Sequence, residues 1–393
     1  YLRIPPVLGE LVVGIIIGPF ALGTLSIPVL GPLFEEPNRG GGGDIPVSLE
    51  LFSVSQIAAV VLLFVAGLET DLKQFLRYAG PATAVATGGM VIPFLFGLGA
   101  TLLLKPTGLT GDPLLYSALF MGAVMTATSV GITARVLSDM GKLDTSEGVT
   151  VLAAAVVDDV LGILVLTVVV GISAGEAFSV GEVTLIGIKA VGFWVVLMAG
   201  GILGAQYISR ALGTFRSSGS AIALALAIAF LAAGLAESFG LAMIIGAYTI
   251  GLALSGTSLA RQLEEPIMAV YHALVPIFFV VMGMMVDLTV MGSVIVFGLI
   301  ITALAILSKV AGSGVPALIT GFNKVGSWRI GIGMLPRGEV ALIIASIGLS
   351  RGIIGSDIFG VAILMTVVTT LLAPIILVPA FAKGGSGRKE DSF

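Results

Sequence analysis

No cysteine occurs among the 393 residues, histidine occurs once (His272), tryptophan twice, and charged side chains make up only 11% of the chain. The lack of cysteine excludes disulfides, thiolate nucleophiles and cysteine metal sites. One histidine excludes a multi-histidine metal centre. The shortage of charge excludes a soluble globular enzyme, whose composition would be about 25% charged and about 45–50% apolar, and it excludes a disordered chain as well. Nineteen Lys and Arg against 23 Asp and Glu leave a net charge of −4, too little to argue for a nucleic acid or another polyionic partner. Residues 5–24 lack a basic leader and a small-residue cleavage site, so they do not read as a signal peptide. What is present is apolar: 57% of residues, with mean hydropathy +1.14.

A transmembrane helix needs about 20 apolar residues. Polar or Gly/Pro-marked breaks divide the chain into twelve such runs, at about 5–24, 48–70, 78–104, 113–139, 144–173, 181–211, 218–237, 240–257, 264–287, 290–318, 326–349 and 357–382. They are apolar on all sides and do not alternate as barrel strands do. The expectation is therefore an all-α, polytopic membrane protein with twelve spans in this chain. Threaded in order, Arg39, Lys105 and Arg351 fall on one side, and Lys189, Lys309 and Arg337 fall inside spans; the remaining Lys and Arg fall on the other side. By the positive-inside rule that richer side is cytoplasmic, and the C-terminus with it. Gly40–Gly43 reads as a flexible outer loop.

The run ending VLLFVAGLETDL (span 2) and the run ending PIFFVVMGMMVDL (span 9) share Gly-x-x-x-Asp-Leu, at Gly67/Asp71 and Gly283/Asp287. Gly9 and Gly14 of span 1 match Gly246 and Gly251 of span 8 in spacing. Spans 1–5 then pair with 8–12. An offset of seven spans makes the two copies run in opposite directions, an inverted five-helix repeat of the kind found in secondary transporters. That architecture predicts interrupted helices at matching places. Span 4 carries Thr126-Ala-Thr-Ser-Val-Gly131-Ile-Thr133, and span 11 carries Gly333-Met-Leu-Pro336-Arg337-Gly338-Glu339. Proline removes a backbone donor and glycine weakens helix, so these centres can unwind. A Thr/Ser-rich packing face is the alternative for span 4.

Asp158 and Asp159 stand mid-span in AVVDDVLG. Each carboxylate at that depth costs about 2.5–3.5 kcal/mol on insertion scales, which points to function, a buried pair that holds helices together being the alternative. Neighbours on a helix point ~100° apart, so one can face an aqueous path and the other a neighbouring helix. Lys309 in span 10 is the available buried cation to pair with one of them. Arg337 and Glu339, two residues apart, would not face each other on a regular helix. Glu10 and Lys189 read as interface-reaching or snorkelling side chains. His272 reads as a packing residue and Met282, Met284 and Met285 as apolar filler.

At PPVLGELVVGIIIGP (5–19), LLFVAGLETDL (62–72), TATSVGITARVL (126–137), AAVVDDVLGILVL (154–166), LSKVAG (307–312) and MLPRGEVALIIA (334–345) the chain resembles the monovalent cation/proton antiporter-2 family, most closely its bacterial NapA-type sodium/proton antiporters. The resemblance implies two crossed discontinuous helices and a thirteenth helix before Tyr1. It implies a scaffold and dimerisation domain from 1–72 and 218–288, a mobile core from 78–173 and 290–382, a linker helix at 181–211 and a flexible cytoplasmic tail at 383–393, in a homodimer. It implies Asp159 as main ion ligand, Asp158 as both ion ligand and partner of Lys309, and Thr128 and Ser129 beside the ion. Thr126, Arg337 and Glu339 are expected to support the site.

The expected activity is exchange of Na+, or of Li+ or K+, for H+ by alternating access, with no tightly bound cofactor, in a bacterial plasma membrane or an internal membrane. Sodium is a hard cation and takes oxygen ligands, which the aspartates and the span 4 hydroxyls and carbonyls supply. Ion and proton would compete for the aspartates, and with Lys309 as a proton carrier the exchange would be electrogenic. The alternatives are a K+/H+ antiporter, a sodium-coupled organic-anion symporter of similar fold, and a passive channel. An intramembrane aspartyl protease is disfavoured, because it needs two aspartates meeting from different helices.

Overall fold

The computed structural model describes residues 6–25, 31–34, 46–106, 109–173, 180–213, 218–287 and 295–389. The Gly40–Gly43 run lies outside them. Fourteen α-helices occur among the described residues. They are α1 (Pro6–Ile17), α2 (Leu49–Glu69), α3 (Leu72–Leu104), α4 (Gly111–Thr126), α5 (Val130–Asp139), α6 (Ser146–Ser173) and α7 (Val180–Gly213), followed by α8 (Ser218–Ser238), α9 (Met243–Ser255), α10 (Ser258–Met284), α11 (Ile295–Ile319), α12 (Lys324–Gly333), α13 (Glu339–Ser350) and α14 (Ser356–Ala382). Among the described residues, ten stretches are long and apolar enough to cross a membrane.

Each apolar run of the sequence falls on this series, with four marked differences of length, one of them the ninth run, whose helix α10 begins six residues early at Ser258. The first run stops at Ile17, because Gly18-Pro19 breaks the ladder and the chain turns into a short 3-10 segment, Leu22–Thr24. The third run begins six residues early, at Leu72. Asp71 caps that end by accepting from the amides of Lys73 (2.7 Å) and Gln74 (3.0 Å), which satisfies two of the free N–H groups of a helix start. The eighth run shrinks to the thirteen residues of α9, about 20 Å at ~1.5 Å per residue. Gly240, at φ +80°, turns the chain before it.

Two runs are each split in two. Between α4 and α5 the chain is extended over Ala127–Ser129, and between α12 and α13 it leaves the helix over 334–338, turning first at Met334. In the second break Pro336 and Gly338 disfavour helix. In the first, Gly131 lies inside the first turn of α5 and the interruption falls on Ala-Thr-Ser instead. There the Ser129 amide is taken by the Pro336 carbonyl of the second break and not by an intrahelical carbonyl.

The helices pack as two groups. One contains α3–α6 and α11–α14; the other contains α1, α2 and α8–α10; α5 also packs against α2, and α7 lies against α6 as well as α8 and α9. Within the second group helices approach to backbone contact at paired glycines. A Cβ on Gly67 would overlap the Tyr248 carbonyl and lie 3.0 Å from the Gly251 Cα; one on Gly251 would overlap the Phe64 carbonyl and lie 3.1 Å from the Gly67 Cα. Gly14 and Gly283 meet in the same reciprocal way across α1 and α10. Such contacts replace hydrophobic burial as the source of helix association in lipid. Gly251→Val should therefore cost at least the ~1–3 kcal/mol of an overpacked core. A melting temperature in detergent equal to that of the parent would contradict this crossing.

The tail departs from expectation. Its described residues, 383–389, are tied down across the ends of α11 and α12; 390–393 lie outside the described residues. Gly384 and Gly385, at φ +66° and +81°, let the chain reverse and offer their carbonyls to Arg329. Asn323 donates to the carbonyls of Ser386 (2.8 Å) and Arg388 (3.0 Å), and Arg388 reaches the Tyr78 hydroxyl at 2.9 Å. Arg329 also makes a 2.7 Å ion pair with Glu147 on α6, both side chains 4% exposed. Arg329 was counted from sequence among the aqueous cations, yet the returning tail covers it. Arg329→Met leaves Glu147 without its counter-charge and is expected to destabilise by about 3–5 kcal/mol, read as an earlier thermal unfolding transition; an unmoved transition would refute the buried-pair reading.

Candidate functional site

The two broken runs cross at their interruptions. The Ser129 amide donates to the Pro336 carbonyl at 2.7 Å, and the Thr133 hydroxyl donates to the Gly333 carbonyl, the last of α12, at 2.6 Å. The helix ends at such breaks leave carbonyls and amides without intrahelical partners. Non-helical backbone at this depth is tolerated only inside protein or beside water, and both links are almost wholly buried.

The carbonyl end of α4 is where two cations converge. Lys309 on α11 donates from Nζ to the Thr126 carbonyl at 2.6 Å and to the Gly89 carbonyl of α3 at 2.9 Å. Both oxygens of Asp158 lie 3.3 Å from the same nitrogen. An ammonium has three protons to donate, and three groups on three helices receive them. Arg337 donates from Nη2 to the Met125 carbonyl at 2.7 Å and from Nη1 to the Leu335 carbonyl at 3.3 Å. Positive charge at a helix C-terminus is favourable, which accounts for both cations meeting the end of α4. Lys309 and Arg337 are 0% exposed, Asp158 3% and Asp159 7%.

Gly89 lets α3 approach α11 here, since a Cβ there would overlap the Ser313 hydroxyl. Thr370 on α14 donates its hydroxyl to the Arg337 carbonyl and so holds the second link. Thr128 turns its hydroxyl toward the Asp158 carboxylate without closing a hydrogen bond, and the buried Ser129 hydroxyl likewise has no partner. Asp159 lies within electrostatic range of Lys309, and the ~100° step of the helix turns it away from the Asp158–Lys309 pair.

The residues singled out from sequence thus come together: Thr126, Thr128 and Ser129 from the first break, Arg337 from the second, Asp158 and Asp159 from α6, and Lys309 from α11. The side chain of Glu339 lies outside the described residues. Arg337 uses backbone carbonyls. Four participants were not read from sequence. Gly89 and Met125 take part through carbonyls, for which no sequence signal exists. Thr133 sits in the first polar stretch, and Thr370 closes the polar run Thr366–Thr370 in the middle of the last span; these hydroxyls were a usable signal. Glu10 is not an interface-seeking side chain: Arg135 lies 3.9 Å from it, 6% exposed by side chain, although Arg135 was counted with the aqueous cations. Lys189 and His272 are exposed on the bundle surface, and His272 packs edge-on against the Tyr271 ring. Among the described residues no group of three His, Asp or Glu side chains could hold a resident metal.

With this geometry in hand, the comparisons with known proteins agree on one family. The sequence model described as sodium/hydrogen exchanger, transmembrane, matches residues 1–383. The Na(+)/H(+)-K(+) antiporter GerN of Bacillus cereus is 35% identical over 98% of this chain and 92% of its own length. The high-affinity Na(+)/H(+) antiporter NhaS3 of Synechocystis is 34% identical over all of this chain and 87% of its own. A solved structure of the sodium proton antiporter MjNhaP1 from Methanocaldococcus jannaschii superposes with a TM-score of 0.64, covering 97% of this chain and 91% of that one at 18% identity, a likeness of fold. The chain is an integral, multi-pass membrane protein and belongs to the sodium/hydrogen exchanger family.

Proposed function

We propose that the protein is a secondary transporter, not an enzyme, that exchanges Na+ for protons, with Asp159 and Asp158 as the shared carriers and Lys309 as the counter-charge and second proton carrier. The observation that carries this reading is the wholly buried Lys309–Asp158 pair set against the carbonyl end of a broken helix, with a second carboxylate adjacent. Sodium takes Asp159, Asp158 and the hydroxyls of Thr128 and Ser129 as oxygen ligands. When it takes Asp158, Lys309 loses its partner. An unpaired ammonium at that depth is costly, so entry of the ion favours loss of a proton from Lys309. When the ion leaves, protons return and the pair closes. Ion and protons cannot share the site, and one site suffices for exchange.

Support for the inverted repeat comes from the glycine crossings. Gly67 matches Gly283 and Gly251 matches Gly14 in the two copies, and the meeting of Gly67 with Gly251 is repeated by the meeting of Gly283 with Gly14. The α3–α6 and α11–α14 group is then the mobile core and the α1, α2 and α8–α10 group the scaffold, with α7 linking them. The scaffold would face a second copy in a homodimer in a bacterial membrane, with the C-terminus on the cytoplasmic side. Between the two groups at the crossing lies a cavity of about 30 Å3, lined mainly by apolar side chains together with Ser129, Arg337, Thr366 and Thr370. It has room for a water-sized species, which favours a bare cation over an organic anion as the partner of the proton.

In proteoliposomes with an imposed pH gradient, addition of Na+ alone should collapse the gradient, and parallel additions of Li+ and K+ rank the cations; GerN, by its name, handles K+ as well. No collapse with any of the three would overturn the antiport reading. Collapse only when an organic anion is added with Na+ would favour symport.

A further inference from the structure

We propose that Arg135 is a positioning residue that clasps the two helix groups together at the end of the bundle where α1 begins and α5 ends, and that the clasp must open during each exchange. The proposal rests on the reading above that one group moves against the other. Arg135 lies on α5, the second half of the first broken run, six residues beyond Ser129 and its hydrogen bond to the second break. Its partners lie across the boundary. Nη2 is 3.9 Å from Glu10 Oε1 on α1, and the guanidinium carbon stands 4.9 Å over the Tyr271 ring of α10. One turn further, the Ser138 hydroxyl donates to Glu69 Oε2 on α2 at 2.9 Å. Asp139, on α5 itself, orients the guanidinium through a 3.0 Å bond to Nε.

Elsewhere among the described residues the same boundary is mostly apolar. A Cβ on Gly131 would come no nearer than 3.4 Å to Leu62 and Phe278. Beyond the crossing the groups are separated by the small cavity lined by Leu11, Ile15, Met282, Val286, Leu342 and Val367 among others. The polar contact is therefore concentrated at one end.

Comparison with Arg329, equally buried, separates a clasp from a rivet. Arg329 lies within one group, pairs with Glu147 at 2.7 Å and donates from Nε and both terminal nitrogens. Arg135 leaves Nη1 without a partner, and Glu10 leaves Oε2 without one. A buried polar network that is only partly satisfied gives back little on closing and costs little to open. That suits a surface that separates and re-forms, and it suits poorly a fixed structural tie.

The natural absence of cysteine makes the test direct. Glu69→Cys with Ser138→Cys places one thiol on each side of the boundary. Joining them with a short bis-methanethiosulfonate linker is expected to reduce Na+/H+ exchange to background, and dithiothreitol is expected to restore it. The same linker between Tyr78→Cys and Arg388→Cys, both within one group, should leave exchange running. Full exchange with the 69–138 link in place would overturn the clasp while leaving the antiport reading intact.

A second measurement does not depend on transport. In a Ser138→Cys background, Glu10→Gln should raise the rate of maleimide labelling several-fold. The charge-exchanged pair Glu10→Arg with Arg135→Glu should label more slowly than either reversal alone. Labelling that ignores all three changes would overturn the clasp even if the chain proved not to be an antiporter.

Discussion

Asp159→Asn is expected to bring Na+-driven proton release in proteoliposomes down to that of protein-free vesicles. The amide keeps the size of the side chain and one oxygen, but it removes the negative charge that a dehydrated Na+ requires and the oxygen that carries the proton. Asp158 cannot substitute. Its single charge is shared with Lys309 in the closed pair, the neighbouring hydroxyls of Thr128 and Ser129 are neutral, and the exchange proposed above needs both carboxylates. The fold should survive, because the ion pair of Asp158 and the bonds between the two breaks do not involve Asp159. The melting temperature without sodium should therefore stay near that of the parent. The stabilisation that saturating sodium gives the parent should disappear; ligand at a hundred times its dissociation constant is worth about 2.7 kcal/mol. Full exchange, or an undiminished sodium-dependent shift, would remove Asp159 from the site.

Which parts were legible in the sequence follows from what hydropathy measures. Asp158, Asp159 and Lys309 stand out because a charge surrounded by some twenty apolar residues has a cost that only function or pairing repays. The breaks were legible through Pro336 and through the polar stretch beginning at Thr126, although the first interruption falls on Ala127–Ser129 and leaves Gly131 helical. Carbonyl ligands are hard to read, since every residue has one: nothing marks Gly89 or Met125 as groups that receive Lys309 and Arg337. The ends of spans were misjudged for a related reason. Arg135 and Arg329 lie where apolar runs finish, and a window average counts such residues as wet. Burial there depends on what folds over them, α1 and α10 over Arg135 and the returning tail over Arg329. Hydropathy also reports the membrane and not the helix, so the first turns of α3, polar at Lys73 and Gln74, fell outside the third run although Asp71 caps them.

Lys309→Gln is expected to separate exchange from its electrical signature. A glutamine amide has two N–H donors, enough to serve the Gly89 and Thr126 carbonyls, so the end of α4 keeps partners. It has no charge and carries no proton. If sodium displaces one proton from the aspartates and one from Lys309, the parent moves one net charge per cycle, worth about 2.3 kcal/mol per 100 mV. The variant then moves none. Exchange should persist, slowed, while the transient current on a solid-supported membrane vanishes and a potassium-valinomycin potential no longer alters the rate. The substitution also strands Asp158, and breaking a buried pair from one side costs about 3–5 kcal/mol; loss of activity could then be loss of fold. Asp158→Asn with Lys309→Gln controls for that. The double variant has no stranded charge and should recover most of the lost melting temperature, a coupling of the sign expected for residues in contact, and it should still carry no current. An electrogenic current of parental size in a folded Lys309→Gln protein would mean that the second proton travels on another group, and Lys309 would keep only its role of holding α3, α4 and α6 together.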